Sequence, residues 1–253
     1  MSKRIGIMGA MPEEIDGLLQ LIDHPVVHTI GMRDYYTGTI NNHAVVVVFS
    51  RWGKVAAATT VSTLILKFNV TQILFTGVAG AISHKLNVGD VVVADRLFMH
   101  DMDARPLLPK FEIPLLGLSH FQTPEWEREM AVEAVSKLID DETLHGLFTN
   151  EQLALFGITK PQLYCGDIAS GDQFFSSHAQ KEELKDLLPS VLCVEMEGAA
   201  VAQVCHENGI PCTIIRTISD SADDNSHIDF KRFIDEIGSK YSVEIIKYML
   251  GVN

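Results

Sequence analysis

Short apolar runs alternate along the chain with segments of helical periodicity. Several runs are apolar almost throughout, which is typical of strands buried on both faces of a sheet. These runs are RIGIMG (4–9), HAVVVVFS (43–50), TQILFTGVAGAI (71–82), VGDVVVADRLFMHD (88–101), YCGDIASGDQFF (164–175), SVLCVEM (190–196) and GIPCTIIRTISDSAD (209–223). Between them, apolar residues recur every three or four positions, which predicts helices. The predicted helices cover 11–22, 55–68, 125–139, 177–188, 197–208 and 230–250.

This alternation predicts an α/β fold of three layers, αβα, with helices on both faces of a central twisted sheet that is mixed but mostly parallel. The proline-rich residues 103–125 predict a long irregular surface loop. The acidic residues 140–151 are interpreted as a solvated face or an insertion. No internal repeat, low-complexity tract or linker interrupts the sequence, so we expect residues 1–253 to form a single domain.

The charge of the chain argues against some classes of partner. Acidic residues number 33 and basic residues 20, which gives a net charge of −13 at pH 7. Such a surface repels phosphates and anionic lipids, so neither nucleic acid nor a membrane is predicted as a partner. The N-terminus lacks the apolar core of a signal peptide, and the longest wholly apolar run, Ala44–Phe49, is too short to span a bilayer. Because Cys165, Cys193, Cys205 and Cys212 form no CxxC motif, we expect reduced thiols and a cytoplasmic location.

Carboxylates stand at the ends of three predicted strands. Glu13 and Glu14 follow the first strand, Glu195 and Glu197 lie in the run VLCVEME, and Asp220 follows TIIRTIS. Because ligands of open α/β sheets bind where strands end, we expect these groups to face one cleft. Each also has a structural explanation, since Glu13, Glu14 or Asp220 can cap a helix or turn and Glu195 can form a salt bridge. Their joint placement favours a catalytic cleft.

Several motifs occur in an order and spacing that resemble one enzyme family. They are IGIMGAMPEEI, GKVAAA, TGVAGAI, VGDVVVAD, SGDQFF, VEMEGAAVAQVC and RTISDSAD followed by SH. Together they resemble the 5′-methylthioadenosine/S-adenosylhomocysteine nucleosidases, which have the nucleoside phosphorylase-like fold, over nearly the whole chain. VEMEG followed by RTISD is specific to the superfamily, and GAMPEE narrows the resemblance to its hydrolases.

The resemblance implies hydrolysis of the N-glycosidic bond of 5′-methylthioadenosine, S-adenosylhomocysteine or a related 5′-modified adenosine, with release of adenine. It implies Glu14 as the acid that activates the attacking water, Glu197 as the ligand of the ribose hydroxyls and Asp220 as the acid that protonates N7 of the purine. The substrate-binding residues that it implies are Met196, Phe174, Phe175, Ala79, Gly80, Arg216, Ser219, Phe230, Trp52 and Val78. It also implies a homodimer, a role in methionine salvage and no cofactor or metal.

These residue types suit the chemistry of the implied reaction. Cleavage builds positive charge on the sugar and negative charge on the departing adenine. A protonated Asp220 neutralises the leaving group, an ionised Glu14 polarises the water, and Glu197 orients the ribose and stabilises its positive charge. Each acid or base of this kind typically accelerates a reaction by about 10²–10⁴-fold.

Two positions favour hydrolysis over phosphorolysis. Hexameric phosphorylases that resemble this fold carry an arginine and a serine beside the TGVAG turn, where this chain has Phe75 and Val78. Because phosphate needs cationic or backbone donors and the first loop is acidic, water is favoured as the nucleophile. Trp52 replaces the small aliphatic residue that better-known members of the family carry beside the 5′-substituent. Arg51 next to it is either a solvated loop residue or a contact for a charged 5′ tail.

Other interpretations stay open at this point. A purine nucleoside phosphorylase and a futalosine-type nucleoside hydrolase share the implied fold, and a non-catalytic nucleoside-binding protein is a third alternative. The run HDMD at His100–Asp103 contains possible metal ligands, but no second ligand cluster accompanies it in the sequence. No metal site is therefore predicted there.

Overall fold

The computed structural model describes residues 3–222 and 226–252, and the side chains of all of these except 226–229. The strands are β1 (Arg4–Gly9), β2 (Asp23–Ile30), β3 (Arg33–Ile40), β4 (His43–Phe49), β5 (Gln72–Ala81), β6 (Val91–Met99), β7 (Phe121–Gln122), β8 (Leu163–Ser170), β9 (Val191–Glu195) and β10 (Cys212–Asp220). The α-helices are α1 (Asp16–Leu19), α2 (Lys54–Phe68), α3 (Glu125–Leu138), α4 (Asp141–Leu147), α5 (Asn150–Leu155), α6 (His178–Leu187), α7 (Gly198–Asn208), α8 (Ser226–Phe233) and α9 (Ser239–Met249). A 3-10 turn at Pro12–Glu14 precedes α1, and a π-helical turn at Ile234–Gly238 joins α8 to α9.

The strands form one mixed sheet that closes on itself at one end. β5, β10, β6, β8 and β9 pair in that order and β9 pairs again with β5, which makes a closed ring. From β5 the strands β1, β4, β3 and β2 continue as an open arm. The pairs that join β1, β4, β5 and β10 are parallel, as are β6–β8 and β8–β9, whereas β10–β6, β5–β9 and the outer arm are antiparallel. The prediction of an α/β fold with a mixed sheet is confirmed.

One edge of β5 changes its partner half-way along the strand. Residues Gln72–Phe75 pair with β1, and Gly80 and Ala81 pair with β9. β10 follows the opposite edge of β5 almost to its end. Between the two partners, no strand among the described residues pairs with 76–79 on the first edge. The sheet is therefore open beside 76–79, where β1 ends and where the antiparallel β9 also ends.

Helices bury both faces of the sheet, which explains the wholly apolar strands. On β6, Val92 and Ala94 pack into a core beneath α2 and α7, whereas Val91 and Val93 pack into a second core beneath α3 and α9. Successive side chains of a strand point to opposite faces, so both sets must be apolar. Helix α2 packs on α7 and α3 packs on α9. Among the described residues, no helix is both long and apolar enough to cross a bilayer.

Several elements differ from the sequence prediction for identifiable reasons. The hairpin β2–β3 was not predicted, because β2 is exposed along nearly its whole length and its polar residues hide the strand pattern. Helices α4 and α5 lie in the acidic stretch, where the side chains of Asp140 and Thr149 cap their first turns. The helix predicted over 11–22 is reduced to a 3-10 turn and one α-helical turn. The loop over 103–125 also contains the short strand β7.

Candidate active site

A cavity opens at the gap beside 76–79 of β5, at the ends of the central strands. Buried carboxylates and apolar side chains share its wall. The lining consists of Ala10, Met11, Glu14, Trp52, Gly77, Val78, Ala79, Gly80, Gln173, Phe174, Phe175, Val194, Glu195, Met196, Glu197, Arg216, Asp220 and Phe230. These residues come from the loops after β1, β4, β8 and β9, from the C-terminal parts of β5 and β9, from the middle and the end of β10, and from α8. The position agrees with the general location of ligands at strand ends in α/β sheets.

Glu14 lies in the 3-10 turn that follows β1 and is almost completely buried. Its Oε2 accepts hydrogen bonds from the backbone N–H groups of Ala10 at 2.5 Å and Met11 at 3.0 Å, and the Val78 amide also bonds to its carboxylate. Burial raises the pKa of Glu14 from 4.5 to about 7, although the charge of Arg216 and the three amides oppose the rise. Glu14 is thus held firmly and changes its charge near neutral pH.

Arg216 lies in the middle of β10 and forms a buried ion pair with Glu195. Its Nη2 donates to Glu195 Oε2 at 2.6 Å and its Nε donates to the same oxygen at 3.1 Å. Its Nη1 donates to the carbonyl oxygens of Phe75 and Ile215, and its guanidinium carbon lies 4.2 Å from the centre of the Phe75 ring. Glu195 also accepts from Ser170 Oγ. Glu195 therefore has the structural role of neutralising Arg216.

Glycine at position 77 lets these charged groups approach one another. A Cβ atom added at Gly77 would lie 2.8 Å from Glu14 Oε1 and 3.4 Å from Arg216 Nη1. Both side chains consequently lie close to the backbone of β5 at Gly77, beyond the last residue of β5 that pairs with β1. A larger residue would push the Glu14 carboxylate away from its amide donors.

Glu197 occupies the position before the first residue of α7 and is buried. Its Oε1 accepts a hydrogen bond from the Gly53 backbone N–H at 2.8 Å. Burial, followed by the negative charge of Glu195, raises the pKa of Glu197 from 4.5 to about 8, while Arg216 and the Gly53 amide oppose the rise. Burial therefore outweighs the attraction of Arg216, the buried arginine that Glu14, Glu195 and Glu197 share, and the pKa values of Glu14 and Glu197 stay raised.

Asp220 is the last residue of β10 and is also buried. Its Oδ2 accepts a hydrogen bond from Ser219 Oγ at 2.7 Å, and its Oδ1 accepts one from the Ala222 backbone N–H at 2.8 Å. Ser219 itself is fully buried and does not line the cavity. The side chain of Ser219 therefore supports Asp220 from behind, which differs from the substrate contact that was expected for it.

Aromatic side chains surround the outer part of the cavity. The Phe230 ring lies edge-on to Trp52, with centres 6.2 Å apart, and edge-on to Phe174, with centres 5.6 Å apart. Trp52 is 57% exposed and Phe174 40% exposed, so both stand at the mouth. Phe175 lies deeper, is buried, and contacts the ring of His100 edge-on. We call Trp52, Phe174 and Phe230 the aromatic rim.

A comparison with protein families decides the affiliation of this chain. The model of the family described as the phosphorylase superfamily matches residues 4–250. The chain belongs to the phosphorylase superfamily. The resemblance drawn from the motifs is thereby confirmed, and the fold agrees with it.

Known members of the superfamily match the chain over almost its full length. The aminodeoxyfutalosine nucleosidase of Helicobacter pylori is 35% identical over 252 residues, which are 99% of this chain and 99% of the relative. A 5′-methylthioadenosine/S-adenosylhomocysteine nucleosidase of Staphylococcus aureus is 33% identical and covers 96% of this chain and 98% of its own length. The crystal structure of an S-adenosylhomocysteine nucleosidase from Streptococcus pyogenes, in complex with 5-methylthiotubericidin, superposes with a TM-score of 0.84 at 33% identity, over 98% of this chain and 96% of that one.

With Ser219 as the exception, the residues that the superfamily resemblance singled out all line the cavity. The lining residues that the sequence did not single out are Ala10, Met11, Gly77, Gln173 and Val194, whereas Glu195, which was expected at the cleft, lines it. Each lies within or beside a motif that was recognised, such as GAMPEE or SGDQFF, so proximity to those motifs was the available signal.

The structure also locates the residues about which the sequence left alternatives. Arg51 lies outside the cavity lining, and its Nη2 donates to the Met32 carbonyl at 2.6 Å, so it fastens its loop to the β2–β3 turn. Phe75, at the position of a phosphorylase arginine, is buried and stacks on Arg216. In the HDMD run, Asp101 binds Lys54 and Asp103 binds Arg105. Both carboxylates therefore neutralise nearby cations.

Proposed function

We propose that the protein, as a single domain of residues 1–253, hydrolyses the N-glycosidic bond of a 5′-modified adenosine and releases adenine. The observation that carries the proposal is the convergence of Glu14, Glu197 and Asp220, which are far apart in the sequence, on one cavity. The three similar proteins reported above are nucleosidases of the same superfamily. A cavity with three carboxylates and a wall of aromatic residues suits a purine nucleoside, because the base needs apolar contact and the reaction needs acids and bases.

Glu14 is proposed as the general base. A pKa of about 7 lets it exchange a proton at neutral pH, as a group that accepts a proton from water must do. Its Oε2 is held by the amides of Ala10 and Met11, the Val78 amide also bonds to the carboxylate, and Oε1, which lies close to Gly77, is proposed to orient water. The backbone contacts fix the direction of the carboxylate before the substrate arrives.

Glu197 and Asp220 are proposed to act on the sugar and on the base. Burial and Glu195 raise the pKa of Glu197 to about 8, and positive charge growing on the ribose would favour its ionised form, so the attraction strengthens during the reaction. Asp220 is oriented by Ser219 and by the Ala222 amide, and it delivers a proton to N7 of the departing adenine. Phe174, Phe175 and Met196 would enclose the nucleoside.

Water is favoured over phosphate as the nucleophile by the charge of the cavity. Among the lining residues that the structure describes, Arg216 is the one cationic side chain, and its donors already serve Glu195 and two carbonyl oxygens. A phosphate ion would meet Glu14 and Glu197 without a dedicated donor set. The site therefore supports hydrolysis.

The aromatic rim favours a second candidate for the substrate within the same reaction. Trp52 and Phe174 present large apolar faces at the mouth, next to the loop whose Gly53 amide binds Glu197. A 5′-substituent of the ribose would leave the cavity beside them. An aromatic substituent gains contact with these rings, whereas a long zwitterionic tail loses hydration there. A futalosine-type nucleoside is thus the second candidate besides 5′-methylthioadenosine and S-adenosylhomocysteine.

We also propose a homodimer that works in the cytoplasm, in methionine salvage. Val55, beside the loop that carries Trp52, and Leu66, near the other end of α2, have most of their surface exposed, and Leu107 and Leu115 are exposed in the long loop. Exposed apolar residues of this kind next to a cavity mouth are typical of a surface that a second subunit covers.

Adenine release without phosphate tests the proposed function. The purified protein is incubated with 5′-methylthioadenosine, S-adenosylhomocysteine, aminodeoxyfutalosine and inosine, each with and without phosphate, and free bases are quantified by chromatography. We expect adenine from at least one 5′-modified adenosine at the same rate in both conditions. Strict dependence on phosphate would identify a phosphorylase instead, and tight binding without turnover would identify a nucleoside-binding protein.

A further inference from the structure

Two loops contribute different parts of the cavity wall. Residues 51–54 carry Trp52 and hold Glu197 through the Gly53 amide. Residues 171–175 carry Gln173, Phe174 and Phe175, which also line the cavity. In the proposed function the first loop serves the ribose side and the second serves the base. The relative position of the two loops therefore decides how the nucleoside lies over Glu14.

A charged cluster outside the cavity lining joins these two loops. It consists of Lys54, Asp101 and Asp172, which we call the loop-bridging cluster. Asp101 Oδ1 accepts from Lys54 Nζ at 2.6 Å, and its Oδ2 accepts from the Asp172 backbone N–H at 3.0 Å. Asp172 Oδ1 accepts from the Lys54 backbone N–H at 2.8 Å, and its Oδ2 lies 3.9 Å from Lys54 Nζ. Each member is thus bound to the other two.

Asp101 is the centre of this cluster and lies two residues after β6, which is a strand of the closed ring. Both of its oxygens accept from donors, and the donors come from different loops. Burial works against its charge, yet the hydrogen bonds from Lys54 and the Asp172 amide lower the pKa of Asp101 below its usual value. Asp101 therefore stays ionised at neutral pH and keeps both acceptors. An amide in its place offers one acceptor oxygen only.

Gly53 transmits the position of the cluster to the site. Its φ of +92° lies in the region that favours glycine, and an added Cβ would come within 3.0 Å of Asp172 Oδ1. The consecutive amides of Gly53 and Lys54 donate to Glu197 and Asp172 respectively. A shift of Asp172 would therefore move the amide that orients Glu197.

We propose that the loop-bridging cluster is a positioning device that couples the base side of the site to the ribose side, with Asp101 as its key residue. This inference rests on the proposed function, because that function assigns the base to Phe174 and Phe175 and the ribose to Glu197. When the bound base fixes the position of residues 171–175, the hydrogen bonds of the cluster also fix the position of Trp52 and Gly53. Loss of Asp101 uncouples the two loops without removing a group that touches the substrate.

Trp52 is a built-in reporter of this coupling. The chain contains two tryptophans, Trp52 and Trp126, so a Trp126→Phe background isolates the fluorescence of Trp52. Quenching of Trp52 by acrylamide is measured with and without saturating adenine, which occupies the base side alone. We expect adenine to protect Trp52 in this background and the protection to fall by more than half when Asp101→Asn is added, although adenine still binds. Equal protection in both proteins would overturn the proposal.

A matched control separates coupling from general damage. Asp167 on β8 forms a bidentate ion pair with Arg96, at 2.9 and 2.5 Å, outside the cavity lining. Asp167→Asn removes a comparable charge from the same sheet, and we expect it to leave the protection of Trp52 unchanged. A loss of protection in Asp167→Asn equal to that in Asp101→Asn would assign the effect to stability and would also overturn the proposal.

Kinetics supply a second readout with a conservative variant. We expect Asp101→Asn and Lys54→Met to lower kcat/KM by about 10-fold, mainly through KM, and Lys54→Arg to restore most of it, because misplacement of binding groups weakens ground-state and transition-state contacts together. Unchanged KM in both damaging variants would contradict the coupling. If adenine protects Trp52 through Asp101 but no nucleoside is hydrolysed, the coupling is supported and the proposed function falls.

Discussion

Strands β5 and β10 hold buried carboxylates at both of their ends, and the two ends differ in what those carboxylates can do. At the far end from the cavity, Glu127 of α3 is completely buried. Its oxygens accept from Gln72 Nε2 at 2.8 and 2.9 Å and from Thr213 Oγ1. At the other end, Glu14 and Asp220 border the cavity. The same pair of strands thus joins a structural carboxylate to catalytic candidates.

The comparison shows which property marks a functional carboxylate in this protein. Burial raises the pKa of Glu127 as it raises the pKa of Glu14 and Glu197, so a raised pKa is common to both ends. Glu127, however, lies outside the cavity lining, and both of its oxygens accept hydrogen bonds from neutral side chains. At the cavity, several carboxylates share the charge of Arg216. Convergence on a cavity, more than burial, is therefore the informative feature.

The largest expected effect is the loss of activity in Asp220→Asn. An amide cannot deliver the proton that the leaving adenine needs, so we expect kcat to fall by about 10²–10⁴-fold with little change in Tm. Steady-state adenine release and thermal unfolding measure the two quantities. Glu127→Gln is the matched change at the other end of the strands, and its kcat should stay at the wild-type level. Equal losses in both variants would erase the distinction between the two ends.

The second effect concerns stability at the structural end. Glu127→Ala leaves the Gln72 amide and the Thr213 hydroxyl without their acceptor, and we expect the free energy of unfolding to fall by about 1–3 kcal/mol. Urea unfolding measures it, and kcat/KM of the folded enzyme should not change. A variant that keeps full stability but loses activity would give Glu127 a role in the reaction.

The third effect is a stability change of opposite sign at the cavity. The pKa of Glu14 is raised from 4.5 to about 7 in the folded protein, so its contribution to stability is complete below pH 4.5 and is lost as the pH rises through 7. Glu14→Gln should therefore unfold at a higher temperature than the wild type at pH 8, by on the order of 2–4 °C for each kcal/mol gained, and at a similar temperature at pH 4.5. Thermal unfolding at both pH values tests this. A lower Tm at pH 8 would mean that the carboxylate stabilises the fold.

The smallest expected effect is a change of specificity at the aromatic rim. Trp52→Ile removes an aromatic face from the mouth, and we expect the ratio of kcat/KM for aminodeoxyfutalosine over that for 5′-methylthioadenosine to fall by about 10-fold. Parallel assays of the two nucleosides give the ratio. Phe49, which lies outside the cavity lining, provides a control position in Phe49→Leu. An unchanged ratio in Trp52→Ile would show that Trp52 of the aromatic rim does not contribute to substrate specificity.

The sequence allowed much of the site to be predicted, because its key residues lie in short motifs at strand ends. Glu14, Glu197 and Asp220 follow strands whose apolar pattern is clear, and the structure brings them to one cavity. Ser219 does not line the cavity, because the register of β10 with β5 shifts between Ile218 and Asp220, and its hydroxyl donates to Asp220 instead. A motif defines a position but not the side from which each residue acts.

Other features depend on contacts that the sequence does not display. Glu127 lies in EWEREM, which reads as the exposed face of a helix, and its partners Gln72 and Thr213 are remote in the chain. The strands β2 and β3 form a hairpin in which β2 is exposed and β3 half-buried, and the polar residues of β2 resemble a loop. The partner change along β5 arises from the path of β9, which lies more than a hundred residues downstream. These features depend on contacts between residues that are far apart in the chain, so the local sequence pattern could not predict them.

The sheet consists of a ring and an arm, and the residues proposed for the reaction come from both sides of the junction between them. Glu14 lies in the turn after β1, the first strand of the arm, whereas Glu197 follows β9 and Asp220 ends β10, and both of these strands belong to the ring. The short pairing of β1 with β5 joins the arm to the ring, and the arm ends in the exposed strand β2. Amide hydrogens of β2 should consequently exchange with deuterium long before those of β5 and β10. In the proposed reaction, the distance between the attacking water and the departing base then depends on how little the arm moves relative to the ring. The hydrogen bond from the Val78 amide of β5 to Glu14 restrains that movement at the cavity.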